Sequence, residues 1–329
     1  MGEFELIARH FAEPARALAT PAVAVGIGDD CAVLQPAPGA QLLVSCDVLV
    51  EGRHFVPGTD AYRLGHKCLA VSLSDLAACG AAPLGFVLSL TLPHADEAWL
   101  AAFSKGMLAL ARASDCPLVG GDTAKGPLAI NVTVFGQIPQ GQALLRSGAR
   151  VGHDVFVTGA IGEARAGLQL LQQRWSLANE ALCAHLLRRL EAPTPRLAVG
   201  HHLRGVASSA IDLSDGLCGD IGHILKASGV GARIDGAALL QTAPRLWMAS
   251  ELDAMSEAER IAFAMAGGDD YELLFTAHPG FRSYLTELGQ ELGVAITRIG
   301  EVTEGDALIV QDARGEPVPL SAASFDHFA

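Results

Sequence analysis

The order of apolar and polar residues predicts short strands that alternate with helices along the chain. Compact apolar runs indicate buried strands, whereas apolar residues that recur every three or four positions indicate helices with one buried face. The predicted strands cover residues 22–25, 42–44, 84–92, 117–119, 130–135, 154–158, 209–211, 263–266 and 271–275, and the predicted helices cover 96–114, 162–173, 180–190 and 217–228. This alternation through both halves is typical of an α/β or α+β fold.

Residues 69–92 form an almost continuous apolar stretch that contains one charged residue, Asp75. The stretch is long enough for a membrane span, but Gly80, Pro83 and Gly85 would break such a helix, so we predict a helix, a turn and a buried strand. An ionised carboxylate is costly in apolar surroundings unless a cation or several hydrogen-bond donors meet it. Asp75 therefore either makes local hydrogen bonds or binds an external cation.

Five clusters of acidic residues directly follow predicted strands. The clusters are Asp29 with Asp30, Asp47, Asp122, Asp212 with Asp215, and Asp269 with Asp270. A Gly-Asp pair alone is typical of an ordinary turn, but ligand sites of α/β sheets lie at strand ends, so the clusters together suggest one shared site. Carboxylate oxygens favour magnesium or calcium over zinc or copper. Of these ions we expect magnesium together with phosphates. The calcium-loop, P-loop and complete G-x-G-x-x-G patterns are all missing from the sequence, which argues against a calcium-binding loop, a P-loop enzyme and a Rossmann dehydrogenase.

Composition narrows the class of protein further. The 329 residues are 50% apolar and 18% charged, which predicts a globular protein of two domains. A net charge of −13 argues against nucleic-acid and anionic-membrane partners. The seven cysteines are odd in number and form no C-x-x-C pair, and residues 1–20 lack a leader pattern. We therefore expect reduced thiols in a cytoplasmic protein without disulfides or a zinc site.

The segment 136–141, GQIPQG, carries glycine, proline and glutamine without a clear period and is interpreted as a linker. We place the first domain at residues 1–148 and the second at 149–329. Arg146 lies just before this boundary and could form two hydrogen bonds to a phosphate. An isolated arginine is, however, more often a solvated surface charge.

Nine motifs together carry a resemblance to a known family. They are GEFELI (2–7), GIGDDCAVL (26–34), CDVLVEGRHF (46–55), SLSDLAACGAAP (72–83), GGDT (120–123), LRSGARVGHDVFVTG (145–159), AIDLSDGL (210–217), GGDDYELLF (267–275) and FDHF (325–328). In order and spacing, the chain resembles the thiamine-monophosphate kinase family nearly from end to end. That family belongs with ATP-binding enzymes related to aminoimidazole ribonucleotide synthetase.

The resemblance implies both a fold and a reaction. It implies an N-terminal domain whose mixed sheet forms a barrel across a homodimer, and a C-terminal α/β domain that closes over the nucleotide. It also implies the last step of thiamine diphosphate biosynthesis, in which ATP phosphorylates thiamine monophosphate with the help of several Mg²⁺ ions. We expect a direct in-line transfer.

The resemblance further implies the site residues. The implied metal ligands are Asp30, Ser45, Cys46, Asp47, Asp75, Asp122, Asp212 and Asp215; the implied ATP contacts are Gly121, Asp122, Arg146 and Ser214; and the implied substrate contacts are His54, Asp269 and Phe325. Asp47, Asp75, Asp122 and Arg146 are the implied catalytic residues. The chain departs from the family at three of these positions: Cys46 stands where Thr is common, Asp269 where Glu is frequent, and Phe325 where Trp or Tyr is usual.

Two alternatives remain open at this point. The first is a related ATP-dependent synthetase that acts on a purine-precursor amide or on selenide. The second is a protein that binds divalent ions or nucleotides without catalysis. The motifs VEGRHF and GGDDYEL favour the kinase over the first alternative, and turnover distinguishes the kinase from the second.

Overall fold

The computed structural model describes residues 3–18 and 20–320. The chain divides into two compact units. Residues up to 76 and residues 80–143 form the first unit, and residues 77–79 together with the chain from 144 onward form the second.

The first unit is built on a four-stranded sheet and a small two-stranded ribbon. Its strands are β1 (Val23–Val25), β2 (Val33–Leu34), β3 (Ala40–Val50), β4 (Ala82–Leu92), β5 (Leu118–Lys125) and β6 (Ala129–Pro139). β1 pairs with β2, and the larger sheet has the order β3-β6-β4-β5. The pairs β3/β6 and β4/β6 are antiparallel and β4/β5 is parallel. β3 and β5 are therefore the two edges of the sheet.

The first unit also contains several helical segments. They are α1 (Glu3–Ile7), a π-helical turn (Ala8–Ala12), α2 (Glu13–Arg16), α3 (Ala61–Ala78) and α4 (Glu97–Ala113). Asp96 caps α4 by accepting hydrogen bonds from the backbone N–H groups of Ala98 and Trp99. The α3 side chain of Ser72 donates to the β6 carbonyl of Val132 at 3.3 Å, which places α3 directly on the sheet.

A pair of glycines lets α3 and α4 approach closely. A Cβ atom added at Gly65 would lie 2.0 Å from the carbonyl oxygen of Phe103, and one added at Gly106 would lie 1.9 Å from that of Tyr62. Each helix therefore presents a glycine to the backbone of the other, and a larger residue at either position forces the helices apart.

The second unit contains a six-stranded sheet with the order β12-β9-β11-β7-β10-β8. Its strands are β7 (Asp154–Thr158), β8 (Ala207–Asp212), β9 (Gly231–Asp235), β10 (Leu273–Ala277), β11 (Ile296–Thr303) and β12 (Leu308–Gln311). The pair β12/β9 is parallel and the other pairs are antiparallel. Every residue of the adjacent interior strands β7 and β10 is buried, as expected where helices cover both faces of a sheet.

Eight α-helices surround this sheet within the described residues. They are α5 (Glu163–Leu171), α6 (Glu180–Glu191), α7 (Leu197–His202), α8 (Leu217–Ser228), α9 (Gly236–Leu240), α10 (Pro244–Trp247), α11 (Glu257–Met265) and α12 (Arg282–Leu292), with short 3₁₀ turns at Ser250–Leu252 and Pro279–Phe281. Two separate apolar clusters form the core of the unit. Phe156 of β7 and Phe275 of β10 stack at 5.3 Å in the smaller cluster.

The mixed α/β class and most of the long elements are confirmed, but three predictions are wrong. The segment 136–141 is largely the end of β6, which pairs with β3 as far as Pro139, and is not a linker. Residues 263–266 are mostly the end of α11 and not a strand. Asp47 and Asp122 lie within β3 and β5 and do not follow them. Both sheets are also mainly antiparallel.

No helix among residues 3–18 and 20–320 combines the length and the apolar character needed to cross a bilayer.

The glycine pair generates a stability prediction. We expect Gly106→Ala to lower the free energy of unfolding by about 2 kcal/mol, because the added methyl group meets the Tyr62 carbonyl. Gly222→Ala in α8 is the matched control: its Cβ meets no atom within 4 Å, so higher helix propensity should stabilise the protein by about 0.5–1 kcal/mol. Urea unfolding followed by circular dichroism measures both. A Gly106→Ala protein as stable as the parent would contradict the close approach.

Candidate active site

Two serine–aspartate pairs join β3 to α3. Ser45 and Asp47 are two residues apart on a strand and Ser72 and Asp75 are three apart on a helix, so each pair projects from one face of its element. The hydroxyl of Ser72 donates to Oδ2 of Asp47 at 2.7 Å, and the hydroxyl of Ser45 donates to Oδ2 of Asp75. This arrangement brings three of the predicted metal ligands together in the first unit.

The electrostatics of this cluster are unfavourable for two negative charges. Burial, and then the charge of Asp75, raise the pKa of Asp47 to about 6, although the hydrogen bond from Ser72 acts in the opposite direction. A carboxylate whose charge is costly in this way is stabilised by an adjacent cation. The oxygen donors of Asp47, Asp75 and Ser45 are those that Mg²⁺ prefers, so the residues fit the implied metal.

The cluster alone does not form a complete metal shell. In the part of the chain that the structure describes, no three His, Cys, Asp or Glu side chains lie close enough together to hold an ion. Asp47 and Asp75 thus supply two carboxylates, and the other ligands of an ion at this position must come from substrate phosphates, water or additional groups.

Asp122 lies on the opposite edge strand from Asp47. It pairs with Ser89 of β4, and three inter-strand steps of about 4.8 Å separate it from β3, or roughly 14 Å. Its carboxylate accepts the N–H of Thr123 at 2.9 Å. At this separation, Asp122 and the Asp47 cluster lie too far apart to share a single ion.

The neighbouring Gly121 allows β5 to approach β4, since a Cβ there would lie 2.0 Å from the carbonyl oxygen of Leu88.

Cys46 points away from the Asp47 cluster. Successive side chains of a strand alternate between faces, and Cys46 is exposed on the face opposite to α3. Its Sγ accepts hydrogen bonds from the Asn131 side-chain amide at 3.2 Å and the Thr133 hydroxyl at 3.3 Å. The backbone of Cys46 lies next to Asp47, so a role of the Cys46 carbonyl as a metal ligand stays a prediction.

Asp30 and His54 lie in exposed or partly exposed turns of the first unit. Asp30 lies between β1 and β2, and its backbone N–H donates to the carboxylate of Asp29 at 2.8 Å. The Nδ1 atom of His54 accepts the N–H of Val50 at 3.0 Å, which fixes the ring at the end of β3. Neither contact joins these side chains to Asp47 or Asp75, and their ligand roles stay predictions.

The second unit groups several other predicted residues around the end of β8. Asp212 is the last residue of that strand, and Ser214 and Asp215 follow in the loop that leads to α8. Arg146 is exposed, and its segment is tied to β8 by a 2.9 Å bond from the Ala210 N–H to the Leu145 carbonyl. The charge of Arg146 also acts on nearby Asp220. An arginine beside a loop of oxygen donors is suited to bind a phosphate.

Asp220 is a residue that the sequence analysis missed. Its Oδ2 accepts the backbone N–H groups of Asp215 at 3.2 Å and Gly216 at 3.1 Å, so it shapes the predicted metal-binding loop. Burial, and then the charge of Asp215, raise the pKa of Asp220 to about 7. The spacing D-G-x-x-x-D, with an acid on the first turn of the following helix, was an available sequence signal. Ser72, one helical turn before Asp75, was another.

Asp269 lies in a loop that leads into β10. It has a left-handed backbone conformation with φ of 67°, and its N–H donates to the Ser214 carbonyl at 2.9 Å. The predicted substrate contact Asp269 therefore lies beside the predicted nucleotide contact Ser214. The third predicted substrate contact, Phe325, lies outside the described residues.

The first comparison with known proteins concerns the N-terminal part of the chain. Residues 28–138 match the family model for the AIR synthase related protein, N-terminal domain. This range contains Asp30, Ser45, Cys46, Asp47, Asp75 and Asp122.

Relatives of full length then define the family. The chain is 45% identical over 328 residues to the thiamine-monophosphate kinase of Escherichia coli strain K12, covering 100% of this chain and 98% of the relative. It resembles the crystal structure of thiamine-monophosphate kinase from Stenotrophomonas maltophilia K279a with a TM-score of 0.84 and 42% identity, over 96% and 98% of the two chains. It also resembles AaThiL complexed with AMPPCP and TMP, with a TM-score of 0.73 and 30% identity over 99% and 97% of the two chains. The chain belongs to the thiamine-monophosphate kinase family.

The unfavourable charge of Asp47 generates a second prediction. Because its folded-state pKa lies above the usual value of 3.8, the cost of the charge is absent below pH 4 and fully present above pH 6. Without metal ions, Asp47→Asn should therefore stabilise the protein at pH 8 by about 1–2 kcal/mol, and the gain should shrink as the pH falls toward 4.

Urea unfolding in EDTA at several pH values measures this effect. Asp122→Asn serves as the control, because this exposed position should change stability by no more than about 0.5 kcal/mol. A destabilised Asp47→Asn protein at pH 8 would mean that the carboxylate is a structural group.

Proposed function

We propose that this chain transfers the γ-phosphoryl group of ATP directly to the phosphate of thiamine monophosphate, giving thiamine diphosphate and ADP. The observation that carries the proposal is the similarity to thiamine-monophosphate kinases, which are 44–45% identical to this chain and cover 100% of it. The likeness to AaThiL, which is complexed with AMPPCP and TMP, supports both substrates.

The chemistry of this transfer requires charge neutralisation more than proton removal. The acceptor is a phosphate monoester whose second pKa is about 6, so it is already ionised near neutral pH and needs no general base. Donor and acceptor are both polyanions, and they repel each other and the aspartates around them. Bound Mg²⁺ ions would neutralise this charge and align the phosphates for an in-line displacement.

The residues proposed to hold Mg²⁺ come from several elements. In the first unit they are Asp30, Ser45, Cys46 through its backbone, Asp47, Asp75 and Asp122, and in the second they are Asp212 and Asp215. The raised pKa of Asp47 supports this assignment, because the cost of its charge disappears when a cation binds.

The nucleotide and the acceptor are assigned separate contacts. We assign ATP phosphates to Gly121, Asp122, Arg146 and Ser214, since a glycine, an arginine fork and a hydroxyl suit close contact with phosphate oxygens. We assign the thiamine moiety to His54, Asp269 and Phe325. The positively charged thiazolium ring favours a carboxylate and an aromatic face.

We also propose that the enzyme works in the cytoplasm without a nucleic-acid partner, and that the second unit closes over the nucleotide.

We propose further that the first unit forms a barrel across a homodimer. The outer face of β3 supports the dimer. Leu42, Val44 and Val48 are each more than half exposed there. An apolar face on an edge strand is unstable in water and is commonly covered by a partner.

Substitution of the proposed ligands should remove activity while leaving the fold intact. We expect Asp47→Asn and Asp122→Asn to lower kcat/KM by at least about 100-fold. Each variant loses a carboxylate proposed to hold Mg²⁺, and weaker Mg²⁺ binding leaves the phosphate charge in the transition state less neutralised. Asp306→Asn, an exposed position outside the site, should leave the rate unchanged. The assay follows thiamine diphosphate formation from thiamine monophosphate and ATP, with Mg²⁺ or with excess EDTA.

The assay also separates the alternatives. Turnover without Mg²⁺, or near-normal kcat in both variants, would contradict the proposed ligands. No thiamine diphosphate at all from the parent protein, despite nucleotide binding, would instead favour a protein that binds without catalysis.

The dimer proposal is tested by charging the exposed face of β3. Val48→Lys should produce a monomer, because a buried lysine at the interface would lack a partner. Val151→Lys is the matched control, since Val151 and Val48 are both 51% exposed and Val151 lies in the second unit. Sedimentation velocity measures the assembly, and a Val48→Lys protein that stays dimeric would exclude this face as the interface.

A further inference from the structure

Two loops of the second unit are bound to each other through their backbones. The first follows β8 and contains Leu213 and Ser214, and the second precedes β10 and contains Asp269 and Tyr271. The N–H of Asp269 donates to the Ser214 carbonyl at 2.9 Å, that of Tyr271 to the Leu213 carbonyl at 2.8 Å, and that of Leu213 to the Glu272 carbonyl at 2.9 Å. The position of Asp269 is thus tied to the loop that carries Ser214.

The second loop has a costly backbone conformation. Asp269 with φ of 67° and Tyr271 with φ of 47° are two of the four non-glycine residues with positive φ in the described chain. Such conformations are rare for residues with side chains and persist where the surroundings enforce them. Something beside this loop must therefore hold it.

Asp270 holds the loop from one side. Its carboxylate is buried and accepts the N–H of Gly162 at 2.8 Å and that of Ala164 at 3.2 Å, at the beginning of α5. The side chain between the two strained residues is thereby fixed to a helix.

Glu272 holds the loop from the other side. Its carboxylate is completely buried and accepts hydrogen bonds from the Thr158 hydroxyl at 2.6 Å, from Arg189 at 2.7 Å, and from Arg196 at 2.6 and 2.5 Å. Burial alone would raise the pKa of Glu272, but the hydrogen bond and charge of Arg196 and the charge of Arg189 keep it below the usual range. The backbone at Gly159 leaves room for this carboxylate, since a Cβ there would lie 2.0 Å from its Oε1.

From this geometry we infer that Asp270 and Glu272 are positioning residues for the acceptor substrate, holding the strained loop so that Asp269 presents its carboxylate in a fixed orientation beside Ser214. The inference rests on the proposed function, in which Asp269 contacts the thiamine moiety. Neither acid needs to touch substrate, because each acts through the backbone that carries Asp269. Preorganised contacts of this kind increase affinity by removing the cost of ordering the loop on binding.

The test compares Michaelis constants for the two substrates. Glu272→Gln and Asp270→Asn should each raise KM for thiamine monophosphate by about tenfold while changing KM for ATP by less than about twofold. Glu163→Gln is the matched control, because Glu163 is also a buried acid of the same ionic network, and its carboxylate contacts His185 at 2.8 Å and Arg189 at 3.5 Å. Its KM values should stay at those of the parent.

A double-mutant cycle shows whether the effect passes through Asp269. In an Asp269→Asn background, Glu272→Gln should add little to KM for thiamine monophosphate, whereas independent effects would multiply. Multiplied effects, or equal changes in Glu163→Gln and Glu272→Gln, would overturn the inference. Where Glu272→Gln fails to fold, Asp270→Asn and Thr158→Val carry the same measurement.

The cycle separates this inference from the assignment beneath it. If Asp269→Asn raises KM for thiamine monophosphate but Glu272→Gln and Asp270→Asn do not, the positioning role is wrong and the substrate contact stands. If Asp269→Asn itself leaves KM unchanged, the substrate contact is wrong and the positioning role falls with it.

Discussion

The burial of Asp47 beside a second carboxylate, Asp75, is the electrostatic constraint around which the candidate site of the first unit is built. Two carboxylates that share a partly buried space raise the cost of ionisation, and Ser72 and Ser45 offset only part of it. Asp47 lies on β3 and Asp75 on α3, so the position of α3 decides how close the two carboxylates lie. The close contact of α3 with α4 through Gly65 and Gly106 fixes the distance between these two helices. A bound cation would remove the remaining free-energy cost of ionising Asp47.

Glu272 of the second unit shows the opposite electrostatics to Asp47. Glu272 is more deeply buried than Asp47, yet its pKa lies below the usual range, because Arg196 and Arg189 surround it. Arginines within the protein thus stabilise the charge of Glu272, whereas the charge of Asp47 stays unfavourable. The arginine partners of Glu272, and not its depth of burial, set the direction of its pKa shift.

The sequence predicted long periodic elements well and local chemistry less well. The helix at 96–114 was found because Asp96 is a strong N-cap and its apolar residues repeat regularly. β3 and β5 were predicted too short, because their polar and glycine residues resemble turns, although pairing with β6 and β4 keeps them extended. Residues 263–266 are apolar but complete α11, whose start is fixed by a capping box at Ser256. The role of Glu272 depends on partners distant in sequence, such as Arg196, which no local pattern reveals.

The two-sided character of β3 has a consequence for how this sequence can change. Ser45 and Asp47 face α3 while Val44 and Val48 face outward, and eleven consecutive pairs with β6 fix that register. Losing one residue early in the strand would exchange the two faces, placing carboxylate outside and valine against α3. Point substitutions alter one contact each, but an insertion or deletion here would invert the whole strand at once. We therefore expect insertions and deletions within β3 to be tolerated less well than substitutions of its outward-facing residues.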